Sequence, residues 1–236
     1  MGKQKISGVL IVILCIGFLL NACTKTSKKL TVVEFIILNP ANKEPFANVP
    51  VRIDERRSTN KGVMAETIFE GQTDANGKCK FEFHAKKGSG FWYVPYINEN
   101  YFGDYANWEY LARPAINWDP ITKDQYNEAR YEIVFYAYLK EHIKNVNCEG
   151  SLDSLYYHGW YKEISNGTKS YNNVINKTGC YEYQTGNTSG NPPGYRTVFM
   201  GTHIYEYKVV RPSGVTYKKD SIYLEKGEFG EINALY

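Results

Sequence analysis

The chain has 236 residues, with 28 Lys and Arg against 25 Asp and Glu and a formal net charge of +3. This balance excludes the strongly basic surface that is typical of nucleic-acid-binding proteins, so we expect no nucleic-acid partner. Aromatic residues make up 15% of the chain, with 21 Tyr but only 3 Met, which favours strands and turns over helices. The length suffices for one large or two ordinary domains.

The first residues have the pattern of a secretory leader. Two lysines precede an apolar run over residues 6–20, which is short for a permanent membrane span. The sequence Leu20-Asn21-Ala22-Cys23 at the end of this run resembles the lipobox of bacterial lipoproteins. The resemblance implies a signal peptide over residues 1–22 and acyl chains, palmitate among them, on Cys23. The alternatives are an ordinary secreted protein and a one-helix anchor with an unmodified cysteine.

Residues 23–29 would then form a lipidated tether. Residues 24–29 are polar and basic, a composition that predicts a short flexible segment. Surface-exposed lipoproteins of the Bacteroidetes resemble one another in carrying acidic residues just after the lipidated cysteine, and this tether has none. Thr24 also departs from the Asp that retains many lipoproteins at the inner membrane. We therefore expect a cell-envelope protein that is anchored in the outer membrane through Cys23 and faces either the periplasm or the cell surface.

Residues 30–141 are predicted to form a first domain built from strands. Apolar or alternating segments predict its first three strands, at residues 30–38, 49–53 and 63–69. The sequence Asn76-Gly77 within the turn over residues 73–78 predicts a tight hairpin. A calcium loop is not expected at this turn, because the third oxygen ligand and the distal Glu are missing.

These segments resemble the prealbumin-like sandwich of carboxypeptidase regulatory-like domains. The resemblance rests on Pro45, Val49 and Val51, followed by Thr73, Asp74, Gly77, Phe81 and Phe83. It implies a seven-stranded module found in secreted proteins, whose motifs are structural and not catalytic. The sequence departs from the family in the long aromatic stretch between Trp92 and Arg130.

This aromatic stretch contains the candidate ligand-binding residues Trp92, Trp108 and Trp118. Exposed indole faces would stack on sugar rings; alternatively, the rings cover the end of the sandwich and fill its core. The sequence Thr122-Lys123-Asp124-Gln125 fits a capping box, so a short helix is predicted to run to about Ala129.

Alternation over residues 130–140 predicts the strand that closes the first domain. A polar linker then leads to a second β-sandwich, immunoglobulin-like or related, over residues 150–236. Five strand-like segments support it, at residues 155–164, 179–184, 196–211, 215–225 and 229–236. Pro212-Ser213-Gly214 predicts a hairpin between two of them. The expected fold is therefore all-β, with two β-sandwich domains after a lipoprotein signal peptide.

Three cysteines remain once Cys15 leaves with the leader and Cys23 is acylated. Alternation around Cys79 predicts that its side chain is a small buried hydrophobic group. Cys148 and Cys180 then form either a disulfide that closes a loop or two free thiols.

No sequence motif predicts catalysis. The histidines do not have metal-ligand spacing, and the sequence contains neither a nucleophile elbow nor a phosphate-binding loop. His158 and His203 lie on predicted strands and could meet. We expect no cofactor, no metal and no enzymatic activity. The preferred function is a binding or scaffold module for a protein or glycan partner; the alternatives are a structural or accessory subunit of a cell-envelope machine and a hydrolase with an unrecognised site.

Overall fold

The computed structural model describes residues 28–88, 90–114, 121–162, 169–170, 175–184 and 193–235. Within these ranges the chain forms strands and two short 3-10 helical turns, so the fold is all-β as predicted. The earlier strands are β1 (Thr31–Leu38), β2 (Pro50–Thr59), β3 (Gly62–Gln72), β4 (Lys78–Phe83), β5 (Phe91–Ile97), β6 (Trp108–Ala112) and β7 (Tyr126–Lys144). The later strands are β8 (Ser154–Tyr161), β9 (Lys169–Ser170), β10 (Ile175–Thr178), β11 (Glu182–Gln184), β12 (Arg196–Phe199), β13 (Gly201–Arg211), β14 (Gly214–Leu224) and β15 (Phe229–Leu235). The 3-10 turns are Glu99–Phe102 and Tyr105–Asn107.

The 19-residue strand β7 is the centre of a seven-stranded sheet. Its first part pairs in parallel with β1, which in turn pairs with β4. β6 runs antiparallel along its middle, and β11 and β12 run antiparallel along its second part, where β15 is parallel. β7 therefore does not close a set of earlier strands but joins them to later ones. The division into two domains at residues 141–150 stays a prediction.

The three-stranded sheet β3–β2–β5 lies against the first part of the seven-stranded sheet. The Tyr131 hydroxyl on β7 donates to the Pro95 carbonyl on β5 at 2.8 Å, and the rings of Phe83 and Tyr93 lie 4.9 Å apart. Burial alternates along β1, as the pleat of a strand requires. The fully buried side chains on its inner face are Thr31, Val33, Phe35 and Ile37.

The five-stranded sheet contains β10, β8, β13 and β14 in that order, with β9 paired to β8. It packs on the second part of the seven-stranded sheet, and the Tyr161 hydroxyl on β8 donates to the Met200 carbonyl at 2.7 Å. Arg211 pairs with Gly214, so β13 and β14 form the predicted hairpin around Pro212-Ser213. Burial alternates along β8 and β13, which leaves one face of the sheet buried and the other turned to solvent.

The short helix predicted to end near Ala129 is wrong, because the chain enters β7 at Tyr126. Parallel pairing with β1 supplies hydrogen-bond partners to the backbone there. The Asn127 side chain adds local bonds, since its Nδ2 donates to the carbonyls of Thr122 and Gln125. Tertiary pairing thus overrides the capping-box pattern.

The turn at Asn76-Gly77 forms as predicted, but the hairpin does not. Gly77 adopts a φ of 70°, and Asp74 Oδ1 accepts from the N–H groups of Asn76 and Lys78 at 2.9 Å. The strands on the two sides do not pair with each other, because β3 pairs with β2 and β4 pairs with β1. The turn therefore carries the chain from one sheet to the other.

Candidate functional site

The tryptophans of the aromatic stretch do not form an exposed platform in the described residues. Trp108 is 3% exposed, with its ring centroid 5.4 Å from that of Phe102 and 5.2 Å from that of Tyr110. Its Nε1 donates to the Gly103 carbonyl at 3.3 Å. Trp108 therefore fills the core, and its ring is not available to stack on a ligand. Trp92 is half-buried on β5, and Trp118 lies outside the described residues.

Cys148 and Cys180 are joined by a disulfide, with their Cα atoms 5.3 Å apart. Beside it, the buried carboxylate of Asp153 accepts from Asn145 Nδ2 at 2.8 Å and from the Glu149 N–H at 3.0 Å. These bonds keep the pKa of Asp153 below its ordinary value, with the backbone N–H as the largest cause.

Cys79 is a free thiol that lies half-buried against the core, and burial raises its pKa. The predicted lipidation residue Cys23 lies outside the described residues.

The solvent-facing side of the five-stranded sheet carries a group of aromatic and charged side chains. Strand pairing arranges them in two rows across β8, β13 and β14. The first row is Tyr156, Lys208 and Tyr217, and the second is His158, Glu206 and Lys219. The rows are two residues apart along each strand, or about 7 Å. They surround a depression of about 410 Å³, which we call the outer cleft.

The rings and charges of the outer cleft contact one another. Lys208 Nζ lies 5.5 Å from the centroid of the Tyr156 ring. Lys219 Nζ binds Glu206 Oε1 at 3.0 Å. The lining contains the three lysines Lys208, Lys218 and Lys219 but one carboxylate, so the described part of the cleft has an excess of positive charge. Lys218 Nζ donates to the Leu235 carbonyl at 2.8 Å. Tyr217 is 72% exposed, so most of its ring is open to a ligand.

Trp160 extends the cleft along β8. The His158 ring stacks on the Trp160 ring, with centroids 5.2 Å apart and planes 30° from parallel. Lys219 Nζ lies 5.4 Å from the centroid of the same indole. The cleft thus combines aromatic faces, hydrogen-bonding groups and cations, which together can hold a ligand with apolar faces and a negative charge.

Side chains on the opposite side of the same strands bond the five-stranded sheet to the seven-stranded sheet. Arg196 Nη2 on β12 donates to Glu141 Oε1 on β7 at 2.6 Å and to the Tyr205 hydroxyl on β13 at 2.8 Å. The Tyr205 hydroxyl also donates to Glu141, and burial raises the pKa of Tyr205 above its ordinary value. A Cβ on Gly159, which pairs with Tyr205, would lie 2.7 Å from its ring. Glycine at this position lets the Tyr205 ring lie across β8.

His203 lies on this buried side, with Nε2 2.7 Å from the Phe199 carbonyl oxygen. Burial is the main cause that lowers the pKa of His203 to about 4. His158 lies on the solvent-facing side, so the two histidines do not meet, contrary to the possibility raised by the sequence. Across the described residues we find no group of three or more His, Cys, Asp or Glu side chains placed to bind a metal. In the same residues no helix has the length and apolarity needed to cross a bilayer.

The outer cleft could not be predicted from the sequence, because β8 carries aromatic residues on both of its faces. Along β8, Tyr156, His158 and Trp160 lie on one face and alternate with Leu155 and Tyr157 on the other. Both sets are compatible with a core, so alternation alone does not tell which set is buried.

Comparison with known proteins gives no matching family model and no matching curated protein. Solved structures that match include the shaft pilin SpaA from Lactobacillus rhamnosus GG, at 7% identity and a TM-score of 0.29, over 87% of this chain and 97% of that one. A streptococcal ancillary pilin matches at 12% identity and a TM-score of 0.26, over 89% of this chain and 64% of that one. The tip fimbrial protein Mfa3 from Porphyromonas gingivalis matches at 10% identity and a TM-score of 0.22, over 84% of this chain and 83% of that one. With scores this low, the all-β assignment rests on the strand pairing itself.

Proposed function

We propose that this chain is a non-catalytic accessory subunit of the bacterial cell envelope that binds its partner through the outer cleft. The leader and its Leu20-Asn21-Ala22-Cys23 motif support a lipid anchor on Cys23 in the outer membrane. The observation that carries the binding role is the set of rings and charges on the solvent-facing side of β8, β13 and β14.

The position of these side chains favours binding over a purely structural role. Large rings on the outside of a sheet add nothing to its core, whereas exposed aromatic residues are enriched at binding surfaces. The cleft also lies on paired strands held by the Arg196, Glu141 and Tyr205 bonds, so its side chains start from a fixed backbone. Preorganisation of this kind lowers the entropy cost of binding.

The charged groups of the cleft support a non-catalytic role. Hydrolysis of a glycosidic bond uses two carboxyl groups that flank the bond. Among the residues that line the cleft only Glu206 has a carboxylate, and it is bonded to Lys219. The cleft therefore offers contacts to a ligand but not the pair of acids that this reaction needs.

The anchor is tested by replacing Cys23 with alanine in the producing bacterium. We expect Cys23→Ala to abolish palmitate labelling and to release the protein from the membrane fraction. Protein that remains in the membrane without label would contradict the lipid anchor.

The binding surface is tested by placing a photo-crosslinking amino acid at Tyr217 and, as a matched control, at Tyr126. Both tyrosines are exposed, at 72% and 54%, but Tyr126 lies on the seven-stranded sheet. We expect irradiation of intact cells to give a discrete envelope adduct from position 217 only. Equal labelling at both positions, or none at either, would contradict the assigned surface.

A further inference from the structure

We infer that the outer cleft binds an acidic carbohydrate, by stacking a pyranose ring on its tyrosines and pairing the sugar carboxylate with Lys208. This inference rests on the proposed binding role of the cleft and names the class of ligand.

The size of the cleft fits a sugar better than a protein surface. Its volume of about 410 Å³ falls within the range of about 300–1,000 Å³ that is typical of small-molecule sites. A stable protein interface would instead bury about 800 Å² of accessible surface on each partner. The cleft is thus large enough for one or two sugar rings.

The two tyrosines of the first row flank this space. Tyr156 and Tyr217 lie two strand spacings apart, or about 9.6 Å, on either side of Lys208. Aromatic faces are apolar and slightly negative, so they attract the C–H groups that line one face of a pyranose. Tyr217 offers the more open ring, and we assign it the main stacking contact.

The polar groups beside the two rings can contact the hydroxyl and carboxylate groups of such a ligand. Glu206 and His158 lie in the neighbouring row and can bond to sugar hydroxyl groups. Lys208 has no carboxylate partner among the described residues, and a bound carboxylate would supply it. The residues that line the cleft include no arginine, whose fork would suit a phosphate. Lys208, which lies between the two tyrosines, is therefore the lysine placed to pair with a carboxylate of the ligand.

The test measures binding of tri-galacturonate and of its neutral methyl ester to the Cys23→Ala protein by isothermal titration calorimetry. We expect the acid to bind at least about tenfold more tightly than the ester, because only the acid can form a charge-assisted bond to Lys208. An array of other uronic-acid and sialic-acid oligosaccharides, with their esters, extends the test to the whole class.

Two variants assign the binding to the cleft. Tyr217→Ala should weaken both ligands by about tenfold or more, whereas Lys208→Gln should remove only the preference for the acid. Tyr126→Ala is the matched exposed tyrosine and should leave both affinities unchanged, and circular dichroism checks that every variant is folded. Because Tyr217, Lys208 and Tyr126 are all exposed, we expect the three variants to fold.

The inference is overturned if no acidic oligosaccharide binds, if the esters bind as tightly as the acids, or if Tyr217→Ala leaves binding unchanged. A protein adduct at position 217 together with no oligosaccharide binding would overturn the carbohydrate assignment and leave the proposed binding surface standing.

Discussion

Removing the disulfide between Cys148 and Cys180 should cost this protein several kcal/mol of stability. The bond closes a loop with a sequence separation of 32 residues. The loop-entropy relation gives about 3.7 kcal/mol for a closed loop of this length, since the cross-link restricts the unfolded chain. For a chain of this size, that corresponds to a lower Tm by about 7–15 °C.

The native segment beside the disulfide has other bonds to hold it. Asp153 accepts from Asn145 and from the Glu149 N–H, and these hydrogen bonds do not require the two sulfur atoms. We therefore expect the double variant Cys148→Ser and Cys180→Ser to fold with the same strands and to lose stability mainly through a freer unfolded state.

The assay is urea unfolding of the Cys23→Ala protein, with and without the two serine substitutions, in oxidising and in reducing buffer. The unfolding midpoint should be high only for the oxidised protein that retains both cysteines, and reductant should have no effect on the serine variant. Midpoints that agree across all four conditions would refute the reasoning, because the loop would then contribute nothing to stability.

Two substitutions test the packing, and a pH series tests the buried His203. Gly159→Ala should lower the free energy of unfolding by about 1–3 kcal/mol, because its Cβ would lie 2.7 Å from the Tyr205 ring. Hydrogen bonds to Arg196 and Glu141 hold that ring in place. Gly77→Ala should cost about 1–2 kcal/mol or more, because its φ is 70° and its Cβ would lie 2.4 Å from the Ile37 carbonyl oxygen. Stability should also fall with acid because of His203, whose pKa is about 4 when folded and about 6.5 when unfolded. The unfolded chain binds the proton first, so this contribution is intact above pH 6.5 and is lost towards pH 4, by about 3 kcal/mol in total. Chemical unfolding measures all three effects, the last as a pH series that His203→Gln should flatten.

Matched controls exist for these changes. Gly90→Ala introduces a Cβ with no atom within 4 Å, so its effect should stay within about 0.5 kcal/mol. The two packing predictions fail if Gly159→Ala or Gly77→Ala is as stable as Gly90→Ala. His84 is an exposed histidine, and His84→Gln should keep the acid dependence of the parent protein. An equal acid dependence in His203→Gln would contradict the role of the buried imidazole.

Local sequence predicted the strands of this protein better than their partners. Pro212-Ser213-Gly214 predicts a hairpin correctly, because a two-residue connection leaves β13 and β14 no room to separate. Asn76-Gly77 has equally clear turn chemistry, yet β3 and β4 belong to different sheets. Turn residues fix the direction of the chain over a few residues, whereas pairing depends on strands that are distant in sequence.

The helix predicted after Thr122 failed for a related reason. A capping box stabilises a helix by about 1 kcal/mol, which is little beside the seven residue pairs that β1 forms with the first part of β7. The outer cleft could not be found from sequence because both faces of β8 are aromatic, and only the packing of Tyr157 and Tyr161 on the seven-stranded sheet decides which face is buried.

The length of β7 has a consequence for where the outer cleft can act. Val32 lies opposite Tyr126 at the beginning of β7, and Leu235 lies opposite Lys144 at its end. At about 3.3 Å per residue, these points are roughly 60 Å apart along the strand. The sheet that carries the cleft covers the far part of this span. In the proposed lipid-anchored protein, β7 is therefore long enough to hold the cleft clear of the lipid headgroups when the strand stands away from the membrane.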